Sequence, residues 1–293
     1  MRRLLVLPLL LGCSGLRLAG STCGEPPRAA AASQQEVLLI GDSISMGYNF
    51  PAGHPTPCPP ATKCHAGKIE CGCQPDNRLG YGLYVQQLLA NSTTPLGVQH
   101  SGGWYAGGQA GDTANGVACI HSWLGANNWS VIVLNFGLHD IYPSSNASVP
   151  LAAYRHNLRT IVTAAVATGA RLLWVSTTPV PTHTKTCGRH KCRTEADVQR
   201  YNTAALAELA PEMTSGAVST LDLHAQIIAS CGGMKKFMAG CPLQIPGNIH
   251  YEHAGRLFCA RAVAAKVQGM VATAVPAPGA GTMEPLLVVS RDS

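Results

Sequence analysis

Charged residues are scarce in this chain: Asp, Glu, Lys and Arg together make up 12% of its 293 residues. Disordered chains combine high charge with little apolar content, whereas 46% of these residues are hydrophobic, so the composition favours a folded chain with a sizeable core. A cluster of Lys and Arg of the kind that binds nucleic acid is also lacking, although the formal net charge is +6. We therefore expect no nucleic-acid partner.

Long apolar runs are lacking after the N-terminus. The chain opens with two arginines, an apolar run over residues 4–11 and then small residues, which is the pattern of a secretory signal and is too short for a mature membrane-spanning helix. The tetrapeptide Leu10-Leu11-Gly12-Cys13 loosely resembles a bacterial lipobox, which is the alternative. We expect residues 1–20 to be removed and the mature protein to be secreted, without stable membrane insertion.

Cysteine, by contrast, is abundant, with 12 residues. This number fits a secreted protein better than a cytosolic enzyme. Loss of Cys13 with the signal peptide leaves an odd number, so either one cysteine stays free or Cys23 lies in a frayed terminus. Three glycosylation sequons, at Asn91, Asn128 and Asn146, fit the same secretory route and predict surface loops.

The segment 51–77 combines several potential metal ligands with many prolines and little apolar content: Cys58, Cys64, His65, Cys71 and Cys73. A zinc site is one interpretation, but the segment has no paired C-x-x-C and the expected compartment is oxidising, so we favour a disulfide-bonded insertion. The pairs Cys187/Cys192 and Cys231/Cys241 also resemble local disulfide loops.

Short apolar runs alternate with helical patterns along most of the chain. Strands are predicted at residues 37–40, Gly97–His100, 131–136, 171–176 and 217–221. Helices are predicted at residues 81–90, Thr113–Leu124, 151–165, 196–209 and 253–271. Such alternation indicates an α/β domain with a parallel sheet covered by helices on both faces. The domain is expected to span residues 36–272, followed by a flexible tail at 273–293.

Four polar motifs follow predicted strands or precede a helix, where parallel sheets bind ligands. They are GDSIS with Ser43, GGQAGDTANG with Gly111, NFGLHD with His139, and GNIHYEHAG with His250 and His253. Each has an ordinary structural interpretation when taken alone. Gly-Asp-Ser forms turns and helix caps, a glycine-rich loop can simply precede a helix, and the histidines can be loop residues.

The order of these motifs resembles that of the GDSL/SGNH hydrolase superfamily over residues 37–271. GDSIS corresponds to the block with the nucleophilic serine, AGDT to the block with an oxyanion glycine, GLHD to Gly-x-Asn-Asp, and NIHYEHAG to the block with the catalytic histidine. The resemblance is nearest to a branch with TTPVP and DVxRYN segments. It implies the three-layer, flavodoxin-like SGNH hydrolase fold with a five-stranded parallel sheet, and no metal or organic cofactor.

The resemblance also implies roles for individual residues. Ser43 would attack an ester after His250 takes its proton. The Ser43 and Gly111 N–H groups and the His139 side chain would stabilise the oxyanion, because a neutral imidazole still carries one N–H.

Two positions depart from the family pattern, and the first is His139, which stands where the family usually has Asn. The family also usually has Asp three residues before the catalytic histidine, and Gly247 occupies that position here. A backbone carbonyl, Asn248 or Glu252 are the candidate replacements, and His253 is a rival base.

The function expected from this pattern is secreted ester hydrolysis on a small ester or acylated carbohydrate, with acetyl as one acyl group. The alternatives are a catalytically impaired SGNH-fold protein that binds glycan or lipid, and a zinc-dependent protein. The sequence determines neither the acyl group, nor the alcohol, nor the oligomeric state.

Overall fold

The computed structural model of the chain covers the sheet, its helices and most of the connections between them. The described residues are Cys23 and residues 36–45, 80–100, 111–142, 149–181 and 193–273. The predictions for the signal peptide, the insertion at 51–77, the Cys187/Cys192 loop, Asn146 and the tail beyond residue 273 lie outside the described residues.

Five parallel strands form one sheet. They are β1 (Glu36–Ile40), β2 (Gly97–His100), β3 (Trp129–Leu134), β4 (Arg171–Val175) and β5 (Val218–Leu221). Their order is β2-β1-β3-β4-β5, with every neighbouring pair parallel. This is the flavodoxin-like order, in which the direction of winding reverses beside β1 and opens a crevice at the carboxyl ends of β1 and β3.

Seven helices occur in the described residues. They are α1 (Gly82–Ala90), α2 (Thr113–Leu124), α3 (Leu151–Val166), α4 (Glu195–Thr214), α5 (Leu223–Ser230), α6 (Met234–Gly240) and α7 (His253–Ala272). α1 packs against α7, while α3 packs against both α2 and α4. Because parallel crossovers are right-handed, these two groups lie on opposite faces of the sheet. The predicted three-layer α/β fold is therefore confirmed.

An apolar stripe explains how α3 docks on the sheet. Tyr154, Leu158, Ile161, Val162 and Ala165 are buried along it, and Leu151 at its first turn is only partly buried. Apolar residues at this spacing lie on one side of a helix, which then packs on the core.

Two predicted elements end more than one residue away from their predicted last residue. β3 ends at Leu134 instead of residue 136, because Asn135 turns its side-chain amide to the carbonyls of Val175 and Ser176 at the end of β4. α4 continues five residues beyond Leu209 and contains Pro211. The short helices α5 and α6 were not predicted; α5 begins where the Asp222 carboxylate accepts the Ala225 N–H at 2.9 Å.

Two disulfides fall within the described residues. Cys231 bonds to Cys241, which confirms this predicted local pair. Cys23 bonds to Cys119 of α2, and its carbonyl accepts the Trp123 indole N–H at 2.9 Å, so the idea that Cys23 lies in a frayed terminus is wrong. Cys259 of α7 is a free, buried thiol.

Candidate active site

Ser43 lies in a tight turn directly after β1. The Asp42 carboxylate accepts the Ile44 N–H at 2.9 Å, and the Asp42 carbonyl accepts the Ser45 N–H at 3.1 Å. A Cβ on Gly41 would lie 2.0 Å from the Ser45 Oγ and would displace this hydroxyl, which donates to the Asp42 carbonyl at 3.2 Å. Asp42 thus makes the turn, as the structural interpretation of Gly-Asp-Ser requires, while Ser43 is left half-buried at the carboxyl edge of the sheet.

The structure brings Ser43 and His250 together across 207 residues of sequence. The Ser43 Oγ lies 2.8 Å from the His250 Nε2. On the other side of the ring, the His250 Nδ1 lies 2.9 Å from the Asn248 Oδ1. A histidine held in this way can accept a proton at one nitrogen while the other nitrogen fixes the ring.

The Asn248 contact also determines which nitrogen carries the proton. The Asn248 Oδ1 accepts the His250 backbone N–H at 3.2 Å, and a backbone N–H only donates, so the oxygen of the amide must face the imidazole. The His250 Nδ1–H then donates to the same oxygen. Nε2 is left with its lone pair toward Ser43, which is the tautomer that a general base needs.

Asn248 and His250 share a hairpin formed by residues 241–252, which we call the His250 hairpin. The Ile245 N–H donates to the His250 carbonyl at 3.0 Å, and the Asn248 N–H donates to the Ile245 carbonyl at 3.0 Å. Gly247 lies at the tip with φ of +67°, a conformation that favours glycine. The residue at the family's usual Asp position therefore makes the turn, and the side chain after it contacts the ring.

His253 and Glu252, the other candidates in this motif, have different surroundings. His253 is exposed at the start of α7, and its Nδ1 lies 2.9 Å from the Tyr84 hydroxyl. Glu252 is exposed at the helix N-cap. Gly255 lets α7 approach the hairpin, because a Cβ there would lie 2.0 Å from the Leu243 carbonyl oxygen. The histidine that the structure pairs with Ser43 is thus His250.

The surroundings of His250 keep its imidazole neutral. Burial lowers the pKa of His250 below its ordinary value of 6.5, and the charge of Asp42 opposes this effect. The positive charge of Arg193 lowers the pKa further, and so does the neighbouring His139. Since the free base is the form that can take a proton from serine, these effects keep His250 ready to act near neutral pH.

Gly111 and His139 flank the same edge of the sheet. Gly111 is half-buried with φ of +71°, immediately before the N-cap Asp112, whose carboxylate accepts the Asn115 N–H at 2.9 Å. The motif does cap α2, as its ordinary structural interpretation predicts. His139 is half-buried in the turn after β3 and lies close enough to His250 to lower the pKa of its imidazole.

Residues 37–263 match the family described as GDSL-like Lipase/Acylhydrolase, which is more than half of the chain. The chain belongs to this family. It is accordingly an ester hydrolase of the SGNH type, and the expected family membership is confirmed. A comparison with curated proteins finds no match.

Solved structures of similar fold accompany this family match. An acetylxylan esterase from Geobacillus stearothermophilus is 15% identical with a TM-score of 0.51, over 84% of this chain and 96% of that one. A second acetyl xylan esterase, AlAXEase, is 13% identical with a TM-score of 0.53, over 79% and 99% of the two chains. At these identities the likeness shows the fold.

Asp140, the last residue of the GLHD motif, joins two blocks of the GDSL-like family. Its buried Oδ1 accepts hydrogen bonds from the Thr113 N–H at 2.9 Å and the Thr113 hydroxyl at 2.5 Å. The second oxygen is buried and accepts no hydrogen bond from the described residues, and burial raises the pKa of Asp140 to about 6. Thr113 and Asp140 directly follow the segments with Gly111 and His139, so this contact sets their separation.

The TTPVP and DVxRYN segments of this GDSL-like chain also meet. The Asn202 Oδ1 accepts the Thr177 N–H at 2.8 Å, and the Asn202 amide donates to the Thr177 carbonyl at 2.9 Å. The Thr177 hydroxyl donates to the Phe136 carbonyl at 2.7 Å. A Cβ on Gly137 would lie 2.2 Å from the oxygen of this hydroxyl. These contacts fix the turn that carries His139.

Two functional candidates were not assigned from sequence. Asn248 was one of several replacements for the missing Asp, and only the turn at Gly247 selects it. Arg193 was not singled out, because its position near His250 depends on the Leu138 carbonyl, to which its Nε donates at 2.6 Å. An adjacent polar residue in a Gly-Asn-x-His segment was the available signal for Asn248.

Neither a cluster of metal ligands nor a membrane-spanning helix occurs in the described residues. Within the described ranges, no three His, Cys, Asp or Glu side chains are grouped as metal ligands would be. The zinc interpretation concerned residues 51–77, which lie outside those ranges. None of the described helices is both long enough and apolar enough to cross a bilayer.

Proposed function

We propose that this protein is a secreted serine esterase that removes an acyl group, such as acetyl, from an alcohol or carbohydrate, with its catalytic domain at residues 36–272. The observation that carries the proposal is the 2.8 Å contact between the Ser43 Oγ and the His250 Nε2, with Asn248 on the other ring nitrogen. In this arrangement His250 takes the serine proton as Ser43 attacks the ester carbonyl.

The negative charge that develops on the carbonyl oxygen needs fixed donors. The Ser43 N–H, the Gly111 N–H and the His139 side chain are the proposed donors. One such donor typically contributes about 3–4 kcal/mol to stabilising the transition state. His250 then protonates the leaving alcohol, and water hydrolyses the acyl-serine by the same steps.

Asn248 performs part of the role of the usual Asp. Its oxygen holds the ring and the tautomer, but as a neutral amide it supplies no charge to the imidazolium that forms. Asp42 supplies a negative charge nearby, since it raises the pKa of His250 against the effect of burial. Together these contacts favour hydrolysis over the alternative of a catalytically impaired binding protein, which was based on Gly247.

The substrate class and the location rest on further support. Two proteins of similar fold are acetylxylan esterases, which favours an acetylated carbohydrate as the substrate. The disulfides Cys23–Cys119 and Cys231–Cys241 are compatible with an oxidising, extracellular location.

Ser43→Ala tests the proposal directly. Release of nitrophenol from 4-nitrophenyl acetate, and of acetate from acetylated xylooligosaccharides, should fall by more than about 10³-fold, because the nucleophile is lost. Ser215→Ala, which removes an exposed hydroxyl at the end of α4, is the control and should keep its activity. A fluorophosphonate probe should label Ser43 in the wild type only. Turnover retained by Ser43→Ala, at an unchanged melting temperature, would contradict the assignment.

A further inference from the structure

Arg193 is a fixed cation beside the candidate active site that the esterase mechanism does not use. Its Nε donates to the Leu138 carbonyl at 2.6 Å, and its guanidinium carbon lies 4.3 Å from the ring centre of Tyr142. Both contacts are to the turn that carries His139. The guanidinium is therefore held in one orientation before any ligand arrives, which reduces the entropy that binding would cost.

The terminal nitrogens of this guanidinium are available as hydrogen-bond donors. In the part of the chain that the structure describes, its two terminal nitrogens make no hydrogen bond, and no carboxylate lies within ion-pairing distance. Three arginines do form ion pairs, along α3 and α4: Arg155, Arg159 and Arg200. Arg193 thus differs from them in keeping a pair of parallel donors for an external group.

The surroundings place this cation within electrostatic range of the reacting residues. Burial is the main cause of the lowered pKa of His250, and the charge of Arg193 lowers this pKa further. The charge of Asp42 raises the pKa of both His250 and Arg193. Tyr142 beside it is 39% exposed and Arg193 is half-buried, so the platform formed by Arg193 and Tyr142 borders solvent. An open aromatic ring next to a cation suits a sugar that carries a negative charge.

We infer that Arg193 determines substrate specificity by binding a carboxylate on the alcohol part of the substrate, so that the preferred ester is an acylated acidic sugar such as a uronate. The two terminal N–H pairs of a guanidinium match the two oxygens of a carboxylate, which gives direction as well as affinity. This inference rests on the proposed esterase function for its catalytic readout, but the binding that it describes does not require turnover.

The test compares two substrates that differ only at C6. Methyl glucuronoside and methyl glucoside, each as the mixture of its mono-acetates on the ring hydroxyls and without acetate at C6, present the acetyl group at several distances from the carboxylate or hydroxymethyl group. Acetate release gives kcat/KM for each mixture. The wild type should prefer the glucuronoside, and Arg193→Gln should reduce that preference by about 10- to 100-fold, the usual scale for a charge-assisted hydrogen bond in a partly buried site. Arg193→Lys should lose part of it.

Arg200→Gln is the matched control. Arg200 also lies over a tyrosine ring, that of Tyr201, but it is exposed on α4 and already paired with Asp197. Its loss should leave the ratio of the two substrates unchanged. A purely structural role of Arg193, such as balancing the charge of Asp42, would lower the rates on both substrates together and leave their ratio intact, which would overturn the inference.

Calorimetric binding separates this inference from the esterase proposal. Both acetate mixtures are titrated into Ser43→Ala and into the double variant with Arg193→Lys, which keeps the charge if Arg193→Gln fails to fold. Tighter binding of the glucuronoside to Ser43→Ala, weakened in the double variant, supports the inference even if the wild type releases no acetate. Equal binding of the two sugars overturns it, whatever the outcome for hydrolysis.

Discussion

The Asp140 carboxylate and Thr113 are joined by two hydrogen bonds in a buried position, and this pair connects the start of α2 to the turn after β3. The two segments also contain Gly111 and His139, so the distance between the proposed oxyanion donors depends on a contact that neither of them makes. A carboxylate suits this place because one oxygen can accept from the backbone and from the hydroxyl at once. The cost is that the other oxygen is buried, with no hydrogen-bond donor for it in the part of the chain that the structure describes.

Asp140→Asn should therefore change how stability depends on pH. Burial raises the pKa of Asp140 in the folded protein from 3.8 to about 6, so the folded state holds this proton more tightly than the unfolded state. The resulting stabilisation is complete below pH 3.8 and is lost as the pH rises through 6, with a total of up to about 3 kcal/mol. The free energy of unfolding in urea, measured from pH 4 to 7, should fall in the wild type relative to the variant. Parallel pH profiles would contradict the buried ionisation.

Substitutions of Asn248 test how the base is positioned. Asn248→Ala frees the Nδ1 side of His250 and should lower kcat more than tenfold, but by no more than the ~10⁴-fold that accompanies loss of the correct tautomer in a serine protease triad. KM should change little, since the residue is expected to act through His250. An unchanged kcat would mean that something other than Asn248 orients the ring.

Asn248→Asp should move the pH profile in a known direction. The general base works only when neutral, and the pKa of His250 is below 6.5 in the wild type, so kcat/KM should decline only below that pH. A carboxylate at Nδ1 stabilises the imidazolium and should shift the acidic limb upward by about 1–2 pH units. The measurement is kcat/KM against pH for both proteins, and coincident acidic limbs would contradict the role of His250 as base.

Gly247→Asp restores the family's usual residue and should nevertheless be harmful. Gly247 has φ of +67°, and His250 already has a partner in Asn248. Gly216→Asp is a matched control, because Gly216 has φ of +79° with open space around it and lies far from the hairpin, before β5. Each variant should lose about 1 kcal/mol of stability to the left-handed backbone. Only Gly247→Asp should also lose kcat; a gain in kcat would show that the new carboxylate reaches the ring.

His139→Ala and His139→Asn distinguish an oxyanion donor from a loop residue. Loss of one donor costs roughly 10²–10³-fold in kcat, whereas Asn keeps an N–H donor and should cost much less. His253→Ala, which removes the contact with Tyr84, is the control histidine and should stay near wild-type activity. Equal activities of the Ala and Asn variants at position 139 would leave His139 without a role as donor.

The local patterns predicted most of the fold, because the elements that build the sheet carry their own signals. The helix Thr113–Leu124 was predicted with its observed bounds from apolar spacing and a polar cap. The strand Gly97–His100 was also predicted with its observed bounds. The end of β3 could not be predicted, since Phe136 is buried as a strand residue would be. It nevertheless lies beyond the strand, after Asn135, whose side-chain amide donates to the Val175 carbonyl.

Long-range contacts limit how much of the candidate site could be predicted from the sequence. Ser43 and His250 were predicted from the resemblance of their motifs, and the structure joins them at 2.8 Å. The partner of the ring could not be selected, because three candidates were available and the turn geometry at Gly247 decides among them. Cys23 pairs with a residue 96 positions away, and such a pairing leaves no pattern in the intervening sequence.

The His250 hairpin makes the catalytic groups depend on one small cooperative unit. His250 and Asn248 lie two residues apart in it, the Cys231–Cys241 disulfide ends at its first residue, and α7 begins directly after it. A partial opening that leaves the central strands intact withdraws both groups from Ser43 in a single event. Partial openings of this kind have lower free energy than global unfolding. We therefore expect catalysis to be lost at lower denaturant concentrations than the sheet, and the amide of Ile245 to exchange its hydrogen with solvent sooner than that of Leu38 in β1.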